Sequence, residues 1–479
     1  MIFIELTNHS KSRISGSGDD VERIYTYFSI PNPNAFFLRK YMHRGWDGKV
    51  HYLSETGNIA TGLIPELMDF CKKAKIRYEV KDFRPKFKKV EPHVTSLNGI
   101  SLRDYQLRSV NNVVTNTLPT GEYFPRGVLK EATNAGKTIM SSAIAKNFGG
   151  KAIFLMNSTE LFTQALKEIP QFLPGKVGQI SSKKIEWNDF MVCMIKTTLN
   201  RLPYIKKELS TYDVLIVDEC DLSNNKTNKA VIDALWHCPV RVGLSGSVFV
   251  SKLKKDELKN KNIKTYFGNL LDEVSNKELI TKGHSSPIRI NILPGNSQAS
   301  LGGTFSEEYE WGIIRSKERN RMGLRRAKMR MEKNQFPMLI AAKNHKHIEI
   351  LYKLFTRKMD SKVRIDWVHH SRKDRHEVVR KFKDGEIDIL IGSMILRRGK
   401  NFPLMKYMLN MAGGKNAEGV IQLLGRATRK HESKKFTIYE DFMDEGKYLK
   451  SHSRKRIIVY KNEGITEIKY VKRKEKAEK

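Results

Sequence analysis

At 479 residues the chain is longer than one hydrophobic core ordinarily organises, and length alone points to about three domains. Its 87 Lys and Arg against 52 Asp and Glu leave a formal charge of +35. That balance argues against an enzyme of neutral metabolites and for a polyanionic partner, bound with strong salt dependence but without base selectivity, although a basic chain can also be merely well solvated. Cys71, Cys193, Cys220 and Cys238 form no Cys-x-x-Cys pair and have no histidine at zinc spacing, which fits a reducing cytoplasm and no structural metal. No apolar run approaches the ~18 residues of a membrane span, and Met1-Ile2-Phe3-Ile4-Glu5 turns polar too early for a secretory signal, so no membrane partner is expected.

The first ninety residues read as a small α+β unit, with an alternating run Lys49-Val50-His51-Tyr52-Leu53 and an amphipathic helix over 63–74. Within it, Arg44-Gly45-Trp46-Asp47-Gly48-Lys49 sets an aromatic between two glycines with basic flanks. Two readings stay open: Trp46 anchors a core beside an Asp47-Gly48 hairpin turn, or its ring is exposed and stacks on a base. The basic, proline-bearing stretch 83–89 marks the first boundary.

Next comes a strand at 127–130, a loop at 131–136 and a helical composition from Lys137 to Ala145. In that order the loop N–H groups of Thr133, Asn134, Ala135 and Gly136 and the positive helix end can face phosphates; Lys137 adds a point charge and Thr138 a hydroxyl for magnesium. Glu131 and Asn134 stand where phosphate loops usually carry glycine.

The nearly continuous apolar run 212–217 reads as a strand covered on both faces of a parallel sheet, and it ends in Asp218-Glu219-Cys220-Asp221. Acids at the carboxyl end of such a strand lie in the ligand crevice of an α/β sheet. Asp218 would then hold magnesium and Glu219 would orient or deprotonate a water; the plainer alternative is an N-cap or a solvated loop. Strands near 128, 153–156, 191–195, 214–217 and 240–244 predict a first doubly wound sheet. Strands at 288–293, 338–342, 364–368, 387–391 and 436–439 predict a second, which lacks a phosphate loop. The basic stretch 315–330 reads as a helix, either with a solvated face or with a duplex-binding one.

These segments, in this order, resemble superfamily 2 helicases and translocases from about Leu102 to Arg429. Leu102-Arg103-Asp104-Tyr105-Gln106 looks like the adenine-reading Q motif, which implies ATP contacts from Arg103 and Gln106. The stretch from Phe154 to Leu161 resembles motif Ia, and Lys196-Thr197-Thr198 resembles the threonine motif that touches the nucleic-acid backbone. Asp218-Glu219-Cys220-Asp221 is similar to the DExD/H box. Ser245-Gly246-Ser247 stands where the family couples hydrolysis to domain movement, and a segment with Ser393, Gly399 and Asn401 resembles motif V. Gln422-Leu423-Leu424-Gly425-Arg426-Ala427-Thr428-Arg429 resembles motif VI, with Gln422 and Arg426 facing ATP and Arg429 as arginine finger. Asn401 departs from the Asp of many relatives, which puts the usual acidic link of motif V in doubt.

The resemblance implies an α/β protein with two tandem RecA-like doubly wound parallel-sheet domains and a small N-terminal α+β accessory domain: 1–90 accessory, 91–282 first motor domain, 283–460 second, 461–479 basic tail. ATP and Mg2+ would be bound by the first sheet and capped by arginines of the second. DNA would be contacted through Ser158, Thr159, Thr197, Lys343, Ser393 and Trp46. Gly45-Trp46-Asp47-Gly48, Gly62-Leu63 and the Lys-rich helix ending at Lys75 narrow the resemblance to phage UvsW-type helicases. It implies remodelling of branched DNA, forks and Holliday junctions, in phage replication, recombination or repair, in the host cytoplasm beside other proteins of those processes. The alternatives are an RNA helicase, against which Cys220 and Ser-Gly-Ser stand, and the motor part of a restriction-type nuclease.

Overall fold

The computed structural model describes residues 1–43, 45–223, 225–249, 254–295, 303–393, 402–415, 417–465 and 467–471. It divides into two compact units, Met1–Glu131 with Ala135–Val274 and Ala132–Asn134 with Ser275–Lys479.

Among the described residues the first unit contains two large sheets and two short two-stranded ribbons. The amino-terminal one has strands Asn58–Ala60, Lys11–Gly16, Ile2–Leu6 and Tyr78–Asp82, in that spatial order. Ile2, Ile4 and Leu6 alternate inward and pack with Leu63 and with Ile64, Leu67 and Met68 of the helix Ile64–Ala74, the amphipathic segment expected there. Lys49–His51 pairs separately with Ser29–Pro31 in a short antiparallel ribbon.

The eight-stranded sheet has the order Ile185–Glu186, Val177–Ile180, Phe190–Met194, Ala152–Met156, Val214–Asp218, Val240–Ser245, Arg126–Glu131, Leu270–Val274. All neighbours are parallel except the outermost Ile185–Glu186. Its inner strands, Ala-Ile-Phe-Leu-Met and Val-Leu-Ile-Val-Asp, are buried at every position, because helices cover both faces and leave no polar side to alternate with. Val214–Asp218 lies between Ala152–Met156 and Val240–Ser245, which puts its acidic end at the middle of the sheet's carboxyl edge.

The two sheets of this unit are tied together. Gly62 approaches the last turn of helix Lys254–Phe267 so closely that a Cβ there would lie 2.3 Å from Lys264 O. Glu66 binds Lys264 Nζ at 3.0 Å and also Lys261, whose ammonium lies over the Tyr27 and Phe28 rings. Tyr52 OH donates to Asn262 Oδ1 at 2.9 Å. The basic connector is held too: Arg84 forks onto Asp82 at 2.9 and 2.7 Å and donates to Tyr123 O at 2.9 Å.

The second unit is a seven-stranded, wholly parallel sheet in the order Ile365–Val368, Ile389–Gly392, Met338–Ala341, Tyr407–Asn410, Thr437–Met443, Ile288–Pro294, Ile468–Tyr470. The basic stretch forms helix Lys317–Glu332. It is neither simply solvated nor simply a duplex surface. Arg319 is buried on Asp444 at 2.9 Å and on Met411 O at 2.8 Å, while Arg326 and Arg330 both bind buried Glu440, which also accepts from Tyr407 OH at 2.8 Å. Arg456 completes the array with Asp441 at 2.7 and 3.1 Å. Pairing is what makes such burial tolerable: a lone charge there would be strongly destabilising.

Strands Val177–Ile180, Leu270–Val274, Tyr407–Asn410 and Ile468–Tyr470 lie outside the expected set. Leu270–Val274 carries two acids and a register shift between Leu270 and Asp272, so no alternation marks it, whereas Tyr407–Asn410 is buried throughout and has a short apolar run, Tyr407-Met408-Leu409, that the expected set omits.

Candidate active site

The helix Lys137–Phe148 begins at Gly136, whose φ of 87° only glycine adopts without strain; Asn134, at φ 82°, takes the left-handed conformation that asparagine tolerates better than most residues. The helix follows strand Arg126–Glu131 after a short loop, the order in which a helix end can receive phosphate. Lys137 and Thr138 open this helix, both partly exposed.

Asp218 closes the central strand and is 6% exposed; its Oδ1 is buried without a hydrogen-bond partner among the described residues. Burial raises the Asp218 carboxyl above its ordinary range, with Asp221 adding to the rise and the Lys137 ammonium and the Glu219 N–H opposing it. A buried carboxylate oxygen left without a donor, facing the lysine of a phosphate loop, fits a divalent cation. Glu219 follows in a left-handed conformation, φ 51°, which turns the chain sharply at the strand end. Ser245, at the end of the adjacent strand, donates to Asp221 Oδ1 at 2.8 Å and accepts from Ser247 N at 3.1 Å. Gly246 lies between them, partly exposed.

Gln106 is buried on the helix Asp104–Val114, where its amide is engaged at both ends. Oε1 accepts from Arg103 N at 3.0 Å and Nε2 donates to Ala135 O, in the phosphate loop, at 2.8 Å. The exposed Arg103 side chain donates to Tyr105 OH at 2.8 Å. Beneath the loop lies a group that sequence reading recorded only as a missing glycine. Glu131 is fully buried, accepts from Ser109 Oγ at 2.9 Å, and has its other oxygen without a hydrogen-bond partner. Ser109 Oγ also lies 2.7 Å from Asp272 Oδ2. Burial pushes the Glu131 carboxyl up to about 8, opposed by Ser109 and Lys137 and aided by Asp272. No local signal predicts this, because Asp272 comes from a strand about 140 residues away.

The residues expected to meet DNA are spread over both units. In the first, Ser158 caps the helix Thr159–Phe172, with Thr159 exposed at its start, and Thr197 is partly exposed in helix Ile195–Leu209. In the second, Lys343 is exposed and Ser393 is buried just past strand Ile389–Gly392. Trp46 is half-buried and its indole N–H donates to Lys49 O at 2.7 Å, closing its own turn. On the helix Ala417–Ala427 and just after it, Gln422 is partly exposed, Arg426 buried and Arg429 partly exposed. Gly399 and Asn401 lie outside the described residues, as do Arg44, Lys252 and the basic 472–474.

Two family models match the chain: the type III restriction enzyme, res subunit, over residues 99–249, and the helicase conserved C-terminal domain over 324–431, together more than half of the sequence. The chain is 22% identical to the ATP-dependent DNA helicase uvsW of Enterobacteria phage T4, an alignment covering 96% of this chain and 94% of that protein. The crystal structure of T4 UvsW superposes over 98% of this chain and 99% of its own at a TM-score of 0.47 and 18% identity. The type ISP restriction-modification enzyme LlaBIII, bound to DNA, gives a TM-score of 0.56 at 13% identity, over 85% of this chain and 34% of that one. With both helicase models matched in order on two parallel sheets, and the phosphate loop and acid box at the carboxyl edge of the first, the chain belongs to superfamily 2 of the helicases, enzymes that hydrolyse ATP.

Proposed function

We propose that this enzyme uses ATP hydrolysis to move on and remodel branched DNA, such as forks and four-way junctions. The observation that carries the catalytic half is the meeting of the Lys137 helix end with Asp218, whose buried Oδ1 awaits a donor or a cation. Asp218 and Thr138 would hold Mg2+, which when bound neutralises developing phosphate charge. Lys137 and the N–H groups of Thr133, Asn134, Ala135 and Gly136 bind the phosphates, and Glu219 orients the attacking water. Gln422, Arg426 and Arg429 take part in turnover, and Ser245, Gly246 and Ser247 pass the state of the acid box onward.

DNA as the track is supported by the +35 charge and by the relative named a DNA helicase. Contacts from Ser158, Thr159, Thr197, Lys343 and Ser393 would position the backbone without reading sequence. In this reading 1–90 delivers the branch point to motor segments 91–282 and 283–460, with 461–479 as a basic tail, in a host-cell cytoplasm and beside other replication or recombination proteins. Gln106 holds the phosphate loop through Ala135 O and exchanges that bond for an adenine contact with Arg103 nearby.

The test is the ATPase rate at one fixed salt concentration with single-stranded DNA, duplex, a four-way junction and RNA as separate activators. Strongest stimulation by the junction, with strand exchange on it, supports the proposal. Preference for RNA replaces DNA as the substrate, and stimulation by duplex alone favours a restriction-type motor.

A further inference from the structure

An exposed apolar surface beside basic sequence lies in the segment between strands Ser29–Pro31 and Lys49–His51. Phe36 and Phe37 are 75% and 78% exposed, and Met42 is 68% exposed. The two phenyl rings stand edge to face, centroids 5.9 Å apart at 88°. Their backbone is fixed: Phe37 N donates to Asn34 O at 3.1 Å, Leu38 N to Ala35 O at 2.9 Å, and Asn32 N to Gly48 O at 2.8 Å, which anchors the turn to the ribbon. Two adjacent phenyl groups held in water on an ordered turn are costly to keep exposed unless something covers them.

Behind Phe36 lies an open cleft of about 680 Å³ lined by Phe36, Tyr41, Met42, Gly45, Trp46 and Asp47. Trp46 forms its wall and is committed to the turn through its N–H. Charge decides between occupants. Over 31–51 the sequence carries Arg39, Lys40, Arg44 and Lys49 against the single acid Asp47. An apolar protein surface needs no such excess of cations; a phosphate-linked chain of flat aromatic bases needs both features at once.

We propose that the Phe36–Phe37 ridge and the cleft behind it, rather than the Trp46 ring, form a base-stacking site for nucleobases unpaired at a DNA branch. Resting on the proposed DNA function, this assigns the stacking to residues that only the structure singles out. Phe37 caps the terminal base pair, Phe36 opens onto the cleft that takes a splayed base, and Arg39 and Lys49 meet the neighbouring phosphates. Such insertion is how apolar side chains hold an opened base step.

The experiment uses the full chain and a four-way junction carrying 2-aminopurine at the branch point. Phe36→Ala with Phe37→Ala should bind the junction roughly 10-fold or more weakly, the scale of a lost stacking contact. It should leave 2-aminopurine unquenched and remodel junctions more slowly, while ATPase stimulated by single-stranded DNA stays near that of the unmodified enzyme. Phe36→Tyr with Phe37→Tyr should restore quenching, and Phe36→Leu with Phe37→Leu should not, because Leu keeps apolarity without a π-face. Thermal melting of all three should match the parent, since both rings are exposed. Equal performance of the Leu and Tyr pairs, or an Ala pair that melts normally and remodels normally, overturns the proposal. So does a parent that sediments as a dimer which the Ala pair dissociates with junction affinity unchanged, for then the ridge docks a second copy. Absence of any DNA stimulation in the parent defeats the DNA function itself; intact stimulation with unaffected variants defeats only the stacking site.

Discussion

The Ser245 hydroxyl donates a 2.8 Å hydrogen bond to Asp221 Oδ1, joining the ends of two neighbouring parallel strands. Asp221 Oδ2 is buried with no hydrogen-bond partner among the described residues, so this hydroxyl is the principal hold on the fourth residue of the acid box. Ser245→Ala should destabilise the fold by only ~1–2 kcal/mol, the range for a lost buried bond. It should lower strands separated per ATP hydrolysed more than it lowers hydrolysis. Parallel ATPase and unwinding assays check this; equal losses in both would place Ser245 in catalysis rather than in coupling.

Lys137→Ala should abolish ATP turnover and spare most DNA binding, because the ammonium acts on phosphates. Arg429→Ala should cut kcat by ~10³ or more while changing ATP affinity less, as a group does that acts on transition-state charge. Steady-state kinetics with nucleotide binding measured separately distinguishes the two. An unchanged kcat for Arg429→Ala would remove it from the active site.

Glu131 gives a stability dependence on pH whose sign follows from its burial. The folded carboxyl is raised from its ordinary 4.5 to about 8, so between those values the folded chain holds a proton that the unfolded chain has released. Stability is therefore lost as pH rises through this window and levels off above it. Glu131→Gln, which keeps the shape and the oxygen that accepts from Ser109, should melt close to the parent near pH 5. At about pH 8.5 it should melt higher, by roughly 1 °C per kcal/mol gained in a chain of this length. A Gln variant with the same offset at both pH values would show that Glu131 does not change protonation in this window.

Glu66 joins the two sheets of the first unit through Lys261 and Lys264. Burial raises its carboxyl, yet the two ammonium groups outweigh that and hold it below its ordinary range. Glu66→Ala strands Lys261, which is 4% exposed, and should cost ~3 kcal/mol or more in urea denaturation. Adding Lys261→Met to Glu66→Ala should recover much of the loss, since an apolar side chain of similar length can rest on Tyr27 and Phe28. Failure of the second change to recover stability would move the cost from the stranded charge to lost packing.

The strands carrying the phosphate loop and the acid box were legible because buried parallel strands are apolar throughout: Val214–Asp218 is buried at all five positions. Leu270–Val274 was not, since it is partly exposed, carries Asp272 and Glu273 and shifts register, so its side chains keep no period. The basic segment containing Arg319, Arg326 and Arg330 shows the same limit. Charge in a helix reads as solvent-facing until Asp444 and Glu440, more than a hundred positions away, are seen to lie against it. For Gln106 the resemblance implies an adenine contact, but its bond to Ala135 O was not legible.

By itself the sequence determined the local placement of contiguous segments: Gly136-Lys137-Thr138 at a helix start, and Asp218 and Glu219 at a strand end. Backbone geometry over a few residues suffices to aim those groups. Only the tertiary structure decided the proton on Glu131, the partners of the buried arginines, the role of Trp46 in its own turn and the exposure of Phe36 and Phe37. Each of these depends on desolvation and on charges brought from distant parts of the chain, and neither quantity exists until the chain has folded.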